Sequence, residues 1–148
     1  MRRKWTILAA VMFAVTLTAT GVSLADEDSP IHKLMEKVGS KGTAIKKAIR
    51  TPVAYKKDRE AVIKHAEDLI DLGKKAKDMK ESAEKQKKEF SEWQKLCDDF
   101  IKKSTDFKEF AEKSGTTKDD QEAAKKAYAT VNASCTSCHN VFRVDDDK

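Results

Sequence analysis

The scarcity of proline constrains the fold of this chain more than any other single feature of its sequence. Pro30 and Pro52 are its two prolines, so no proline interrupts the long stretch that follows Pro52. Glycine is also scarce, with five in 148 residues, while lysine, glutamate, aspartate and alanine dominate after residue 25. Because proline and glycine are the residues that most disfavour helices, this composition predicts an all-α fold.

The first 25 residues have the order of a secretory signal peptide. Residues 1–4 are basic after the initial methionine, residues 5–25 carry no charge, and Ser23 and Ala25 are small residues placed for cleavage. This order predicts export with cleavage after Ala25, which leaves residues 26–148 as a single domain. The uncharged stretch is also long enough to cross a bilayer, so an uncleaved membrane anchor is the alternative.

The charge of the chain does not point to nucleic acid. The formal net charge is +5, and the predicted cleavage removes three basic and no acidic residues, which lowers it to +2. In the remainder, basic and acidic residues alternate without a block of five like charges. Such mixed charge is typical of solvated helix faces, so we expect no nucleic-acid partner.

The first predicted helix opens at Ser29-Pro30, where a capping residue precedes a proline in the first turn. Its apolar residues recur at helical spacing, at Ile31, Leu34, Met35, Val38, Ile45 and Ile49. Gly42 lies on the same face, where a small residue permits a neighbouring helix to approach closely. Thr51-Pro52 is predicted to end this helix, because the residue before a proline avoids helical backbone angles.

Two further amphipathic helices are predicted between residues 58 and 115. The second helix runs from about 58 to about 79, and the polar stretch 80–88 either connects it to the third or prolongs it. The third helix begins near Phe90 and carries most of the aromatic residues that follow residue 25. Gly115 is predicted as its C-cap.

The fourth predicted helix runs from about 118 to about 142. Thr117 and Asp120 resemble a capping box, with aspartate in place of the usual glutamate. The predicted inner positions are Ala123, Ala127, Val131, Cys135, Cys138 and Phe142. Four amphipathic helices joined by short polar links most simply form an antiparallel four-helix bundle.

The sequence Cys135-Thr136-Ser137-Cys138-His139 near the end of the chain has the pattern of covalent c-type haem attachment. Residues three apart on a helix share a face, with Cβ atoms about 5–6 Å apart. Two thiols at this spacing can therefore both add to vinyl groups along one edge of a porphyrin. His139 follows Cys135 by one helical turn, which suits it as the proximal iron ligand.

Other uses of this cysteine pair fit the sequence less well. A thioredoxin-type site would need a strand before the pair, and no strand is predicted. A structural zinc site would need two more ligands, and the remaining candidates, Cys97, His32 and His65, lack ligand-like spacing. A plain disulfide stays open, and Cys97 is predicted to be an inert buried thiol or to form an intermolecular disulfide.

The motif continues through Asn140-Val141-Phe142-Arg143, and with this ending the chain resembles the class II c-type cytochromes, meaning cytochrome c′ and the six-coordinate cytochrome c-556 type. The resemblance implies a four-helix bundle in the bacterial periplasm with one covalent haem c per chain. It also implies that Phe142 packs on the ring edge or the adjoining core. Arg143 would pair either with a haem propionate or only with water.

The resemblance also implies a position in the first helix that faces the open side of the iron. Six-coordinate members have methionine there, and five-coordinate members have an apolar residue. The segment Met35-Glu36-Lys37-Val38-Gly39 is similar to the methionine version, which makes Met35 the candidate distal ligand. Met35 as ordinary core is the alternative, and His32 is a minor candidate ligand.

These features together predict a small electron carrier, since histidine and methionine ligation raises the reduction potential of haem iron. Its partners would be redox proteins, and the resemblance implies a homodimer through the first two helices. No nucleophile–base pair or carboxylate dyad stands out, so we expect no enzyme activity. The alternative function is binding of nitric oxide or carbon monoxide at a five-coordinate iron, as in cytochrome c′.

Overall fold

A computed structural model describes residues 29–143, in which there are five helices and no strand. The helices are α1 (Pro30–Ala48), α2 (Pro52–Lys77), α3 (Glu81–Lys85), α4 (Phe90–Lys113) and α5 (Lys118–Phe142). The predicted signal peptide, residues 1–25, lies outside the described residues. None of the helices between residues 29 and 143 has the length and apolar character of a membrane span.

The start of α2 differs from the prediction. Thr51-Pro52 ends α1 as expected but also begins α2, six residues before the predicted start. The Thr51 hydroxyl accepts a hydrogen bond from the Ala54 amide at 3.2 Å, as the Ser29 hydroxyl does from the His32 amide at the start of α1. A capping hydroxyl followed by proline is a good helix start, so the same dipeptide ends one helix and opens the next.

The sequence predicts that residues 80–88 form a connection or prolong a helix. The structure instead has a separate short helix there. This helix, α3, occupies Glu81–Lys85 and is followed by Lys87, which has a positive φ of 52°. Its Ala83 is buried, and α3 packs on α4. The segment therefore folds back onto the bundle instead of extending away from it.

Two predictions concern the junction between α4 and α5, and the structure confirms one of them and contradicts the other. The capping box is confirmed: the Asp120 amide donates to the Thr117 hydroxyl at 3.2 Å, and the Thr117 amide donates to the Asp120 carboxylate at 2.9 Å. The bonds from Thr117 hold the pKa of Asp120 below its usual value. Gly115 as C-cap is wrong, because Ser114 holds that place in an extended conformation and no described glycine has a positive φ.

Replacing Thr117 with alanine is expected to destabilise the fold by about 1 kcal/mol, because the cap satisfies an amide that α5 leaves without an intrahelical partner. Chemical unfolding followed by circular dichroism measures this loss. Thr116→Ala is the matched control, since no capping bond of Thr116 is found. Equal stability of the two variants would contradict a role for the cap.

The packing order places each long helix beside its neighbour in the chain. The helix α1 packs on α2, α2 on α4 and α4 on α5, whereas α1 and α5 have few close approaches. Helices α1 and α5 meet at two hydrogen bonds. The Tyr128 hydroxyl donates to the Gly42 carbonyl at 3.3 Å, and the Gln121 side chain donates to the Ile49 carbonyl. A Cβ at position 42 would lie 2.9 Å from the Tyr128 hydroxyl, which confirms that a small residue is needed there.

The core consists of two apolar clusters. The larger includes Ile45, Tyr55, Val62, Leu69, Phe107, Tyr128 and Val131. The second includes Ile31, Leu34, Ala76, Trp93, Cys97 and Phe142. The Trp93 indole donates to the Ala76 carbonyl at 2.8 Å and packs edge-on against Phe142, with ring centroids 5.2 Å apart. The end of α5 that carries the Cys-x-x-Cys-His motif is thus anchored to the second cluster.

Candidate functional site

A cavity of about 1240 Å³ lies among the helices. All five helices contribute to its lining, for example through Met35 of α1, Gly73 of α2, Ser82 of α3, Cys97 of α4 and Cys135 of α5. Typical pockets for small organic molecules have volumes of ~300–1,000 Å³. This cavity therefore has room for a large organic group.

The residues predicted from the sequence to hold haem all line this one cavity. They are Met35, Cys135, Cys138, His139, Phe142 and Arg143. Five of them lie within the last nine residues of the described chain, whereas Met35 comes from α1. The fold therefore brings the separately identified methionine to the same space as the cysteine–histidine motif.

Residues of both α1 and α5 line the cavity, and these two helices have few close approaches. Along α1 the lining includes Gly39 and Gly42, and a Cβ added at Gly39 would meet no atom within 4 Å. On α2, Gly73 instead admits α4: a Cβ there would lie 2.8 Å from Ile101 and 2.9 Å from Phe100. Gly39 thus leaves space beside α1, while Gly73, which also lines the cavity, draws α2 and α4 together.

Cys135 and Cys138 are free, half-buried thiols three residues apart on α5. Burial raises the pKa of the Cys138 thiol to about 11. Burial also raises the pKa of Cys135, and the nearby Lys46 charge partly offsets this rise. Both side chains are therefore protonated thiols at neutral pH, and both border the cavity.

The buried face of α5 differs from the predicted one. The most buried side chains of α5 are Gln121, Ala124, Tyr128, Val131, Ser134 and Phe142. Of the predicted inner positions, Val131 and Phe142 are buried, and the two alanines and two cysteines are only half-buried. Both cysteines line the cavity, and Cys138 also packs against the second core cluster.

His139 borders the cavity at the end of α5, although the residue as a whole is exposed. Desolvation, together with the nearby Arg143 charge, lowers the pKa of its imidazole. The ring is therefore neutral at pH 7, and the neutral imidazole is the form that binds a metal through nitrogen. Arg143 is exposed, lines the cavity and donates its amide to the His139 carbonyl at 3.0 Å.

Met35 contributes a thioether to the cavity from α1. Its side chain is half-buried and packs against the second core cluster. Met79 packs against the same cluster but does not line the cavity. His32, one turn before Met35, is exposed and also borders the cavity. His65, the remaining histidine, is half-buried on α2 and does not line the cavity.

The walls of the cavity are mainly apolar and aromatic. They include Leu69, Trp93, Leu96, Phe100, Tyr128, Val131 and Phe142. Lys46, Lys85 and Arg143 also line it, and no aspartate or glutamate of the described residues does. An apolar enclosure bordered by cations alone suits a flat hydrophobic group that carries carboxylates. Haem is such a group, and two thiols, an imidazole and a thioether are the donors that c-type attachment and ligation require.

Several residues of the cavity were not identified from the sequence. Cys97, predicted as buried, lines the cavity beside the motif, and burial raises the pKa of its thiol to about 12. Tyr128 and the residues of α3 were missed entirely. Tyr128 could have been found from its spacing, since it lies four residues after Ala124 and three before Val131 on one helical face. No sequence pattern places α3 over the cavity.

Among residues 29–143, no group of three or more histidine, cysteine, aspartate and glutamate side chains is arranged to hold a bare metal ion. No protein-family model, curated protein or solved structure matches the chain.

Proposed function

We propose that this chain is an exported c-type cytochrome of class II that carries electrons in the bacterial periplasm. One haem c would be attached through Cys135 and Cys138, with His139 as the proximal ligand and Met35 as the distal ligand. The observation that carries this proposal is the cavity of about 1240 Å³, which both the motif of α5 and Met35 of α1 line. A structural helical protein with a chance motif would have no reason to keep such a space beside it.

The proposal includes an antiparallel four-helix bundle, with α3 as an added short helix. Contacts between helix ends support this arrangement. The Tyr55 hydroxyl near the start of α2 lies 2.7 Å from the Ser114 hydroxyl after the end of α4, and Trp93 near the start of α4 bonds Ala76 near the end of α2. Gln121 near the start of α5 likewise bonds Ile49 after the end of α1.

Each residue of the site has a separate role in this proposal. The Cys135 and Cys138 thiols would hold the ring covalently, and the neutral His139 imidazole would bind the iron. Trp93, buried together with Phe142, would exclude water from one side of the cavity. Arg143 would balance the charge of a propionate. When bound, haem supplies the one-electron change between ferric and ferrous iron.

Electron transfer is favoured over gas binding because a thioether lies in the same cavity as the motif. Met35 would then bind the iron together with His139, and methionine ligation raises the reduction potential of haem iron. If Met35 does not bind, the site is open, and binding of nitric oxide or carbon monoxide becomes the function. We propose no catalysis at a substrate pocket in either case.

The first experiment is an absorption spectrum of the exported protein, oxidised and reduced, before and after carbon monoxide, with acid–acetone extraction. We expect haem that stays with the protein on extraction, and a low-spin spectrum with a sulfur-to-iron band that carbon monoxide does not change. Extractable or absent haem would refute the c-type assignment. Attached haem with a high-spin spectrum that shifts with carbon monoxide would leave the attachment intact and favour the gas-binding function.

A further inference from the structure

A second, shallow pocket of about 330 Å³ lies between the end of α1 and the middle of α5. We call it the basic pocket, and its lining residues are Lys46, Ile49, Arg50, Lys125, Tyr128, Ala129 and Asn132. It contains three cations, and no described aspartate or glutamate lines it. Its charge is therefore locally positive, although the chain without its first 25 residues has a formal charge of only +2.

Two of these cations have no ion-pair partner among the described residues. Lys46 and Arg50 are exposed and form no salt bridge there, whereas Lys125 pairs with Glu122 at 3.0 Å. Other lysines are paired internally, such as Lys103 of α4 with Asp99 at 2.7 Å and Lys108 of α4 with Glu112 at the same distance. Surface cations that lack internal partners remain available to an external anion, and their attraction acts over about 10 Å at moderate salt.

The basic pocket adjoins the large cavity. Lys46, Tyr128 and Asn132 line both of them. Tyr128 is buried, and its hydroxyl bonds the Gly42 carbonyl, so this shared side chain is held in place between α1 and α5. A molecule bound at the basic pocket would therefore lie next to the group in the cavity.

We propose that the basic pocket is the docking surface for a redox partner protein that presents acidic side chains, and that electrons pass between this partner and the haem at the edge formed by Lys46, Tyr128 and Asn132. This inference rests on the proposed function and names the partner by its charge. Complementary charge raises the rate of encounter and selects the surface at which two proteins meet. Docking here would orient the partner toward the cavity without burying the motif end of α5.

The test uses the reduced haem protein and hexacyanoferrate(III) as an anionic redox probe. One electron moves from the ferrous haem to hexacyanoferrate(III), which becomes hexacyanoferrate(II), and no bond or proton changes. The test variant is Arg50→Glu with Lys125→Glu, because both residues line the basic pocket and neither lines the large cavity. The matched control is Lys95→Glu with Lys102→Glu, because both of these lysines are exposed on α4, form no salt bridge among the described residues and line neither pocket.

At low ionic strength we expect the test variant to be oxidised about tenfold more slowly than the control variant, which has the same total charge. With tris(phenanthroline)cobalt(III), a cationic oxidant, the order should reverse. Both differences should disappear near 1 M salt, where the screening length is about 3 Å. Unchanged helix content and an unchanged low-spin spectrum would show that the variants are folded.

Poly-L-glutamate tests whether the surface accepts an acidic chain as well as a small anion. It should slow the reaction of the wild type and the control with hexacyanoferrate(III) and leave the test variant unaffected. Equal rates for test and control variants, or no effect of the polymer on the wild type, would overturn the docking surface while leaving the cytochrome intact. A purified chain without covalent haem would instead refute the proposed function itself.

Discussion

Replacing both Cys135 and Cys138 with alanine should abolish the covalent attachment of haem in cells that contain haem-attachment machinery. These two thiols are three residues apart on one helix and both border the cavity, as attachment to two vinyl groups requires. We expect acid–acetone to extract any haem that still binds to the double variant. Each single variant should keep one thioether bond and retain attached haem at a reduced yield.

Cys97→Ala is the matched control for this experiment. Cys97 is a third free thiol that lines the same cavity, but it comes from α4 and is not part of the motif. We expect this variant to retain covalent haem, as the wild type does. If Cys97→Ala lost the attached haem, or if the double variant kept it, the assignment of the two attachment residues would be wrong.

Replacing Met35 with alanine should convert a low-spin, six-coordinate haem into a high-spin form that binds carbon monoxide. The thioether of Met35 borders the cavity from α1, and an alanine side chain is too short to reach the iron in its place. We expect the sulfur-to-iron absorption band to disappear and the reduction potential to fall, since methionine ligation raises it. Absorption spectra with and without carbon monoxide, and a redox titration, measure these changes.

Met79→Ala is the control that separates ligation from packing. Met79 packs against the same core cluster as Met35 but does not line the cavity, so its loss should affect stability and leave the spectrum unchanged. A Met35→Ala protein with the spectrum of the wild type would exclude Met35 as the ligand. His32→Ala would then be the next variant, because His32 also borders the cavity.

The helix boundaries that were predicted correctly depend on local chemistry. Ser29 caps α1, and Thr117 with Asp120 caps α5, through bonds between residues three apart in the chain. Such contacts can be inferred from a few neighbouring letters. The predicted start of α2 is wrong because Thr51-Pro52 both ends α1 and starts α2. The predicted C-cap of α4 is wrong because Ser114, and not Gly115, takes that position.

The packing of α5 was predicted less well than its bounds. Helical periodicity identified an inner side, but the most buried stripe is displaced toward Gln121, Ala124, Tyr128 and Ser134. Periodicity alone does not distinguish a side chain that faces packed core from one that faces a cavity, because both lie on the inward side of the helix. Cys135 and Cys138 are half-buried and line the cavity.

The sequence by itself determined the helical class, the motif and the spacing of its two thiols, since each depends on residues within one or two helical turns. Only the tertiary structure decided that Met35 of α1 shares a cavity with His139 of α5, and that Lys46 and Lys125 share the basic pocket beside it. These residues are far apart in the chain, so their proximity depends on how α1, α2, α4 and α5 pack together. Small residues at Gly42 and Gly73 set that packing through contacts with other helices, which no local pattern specifies.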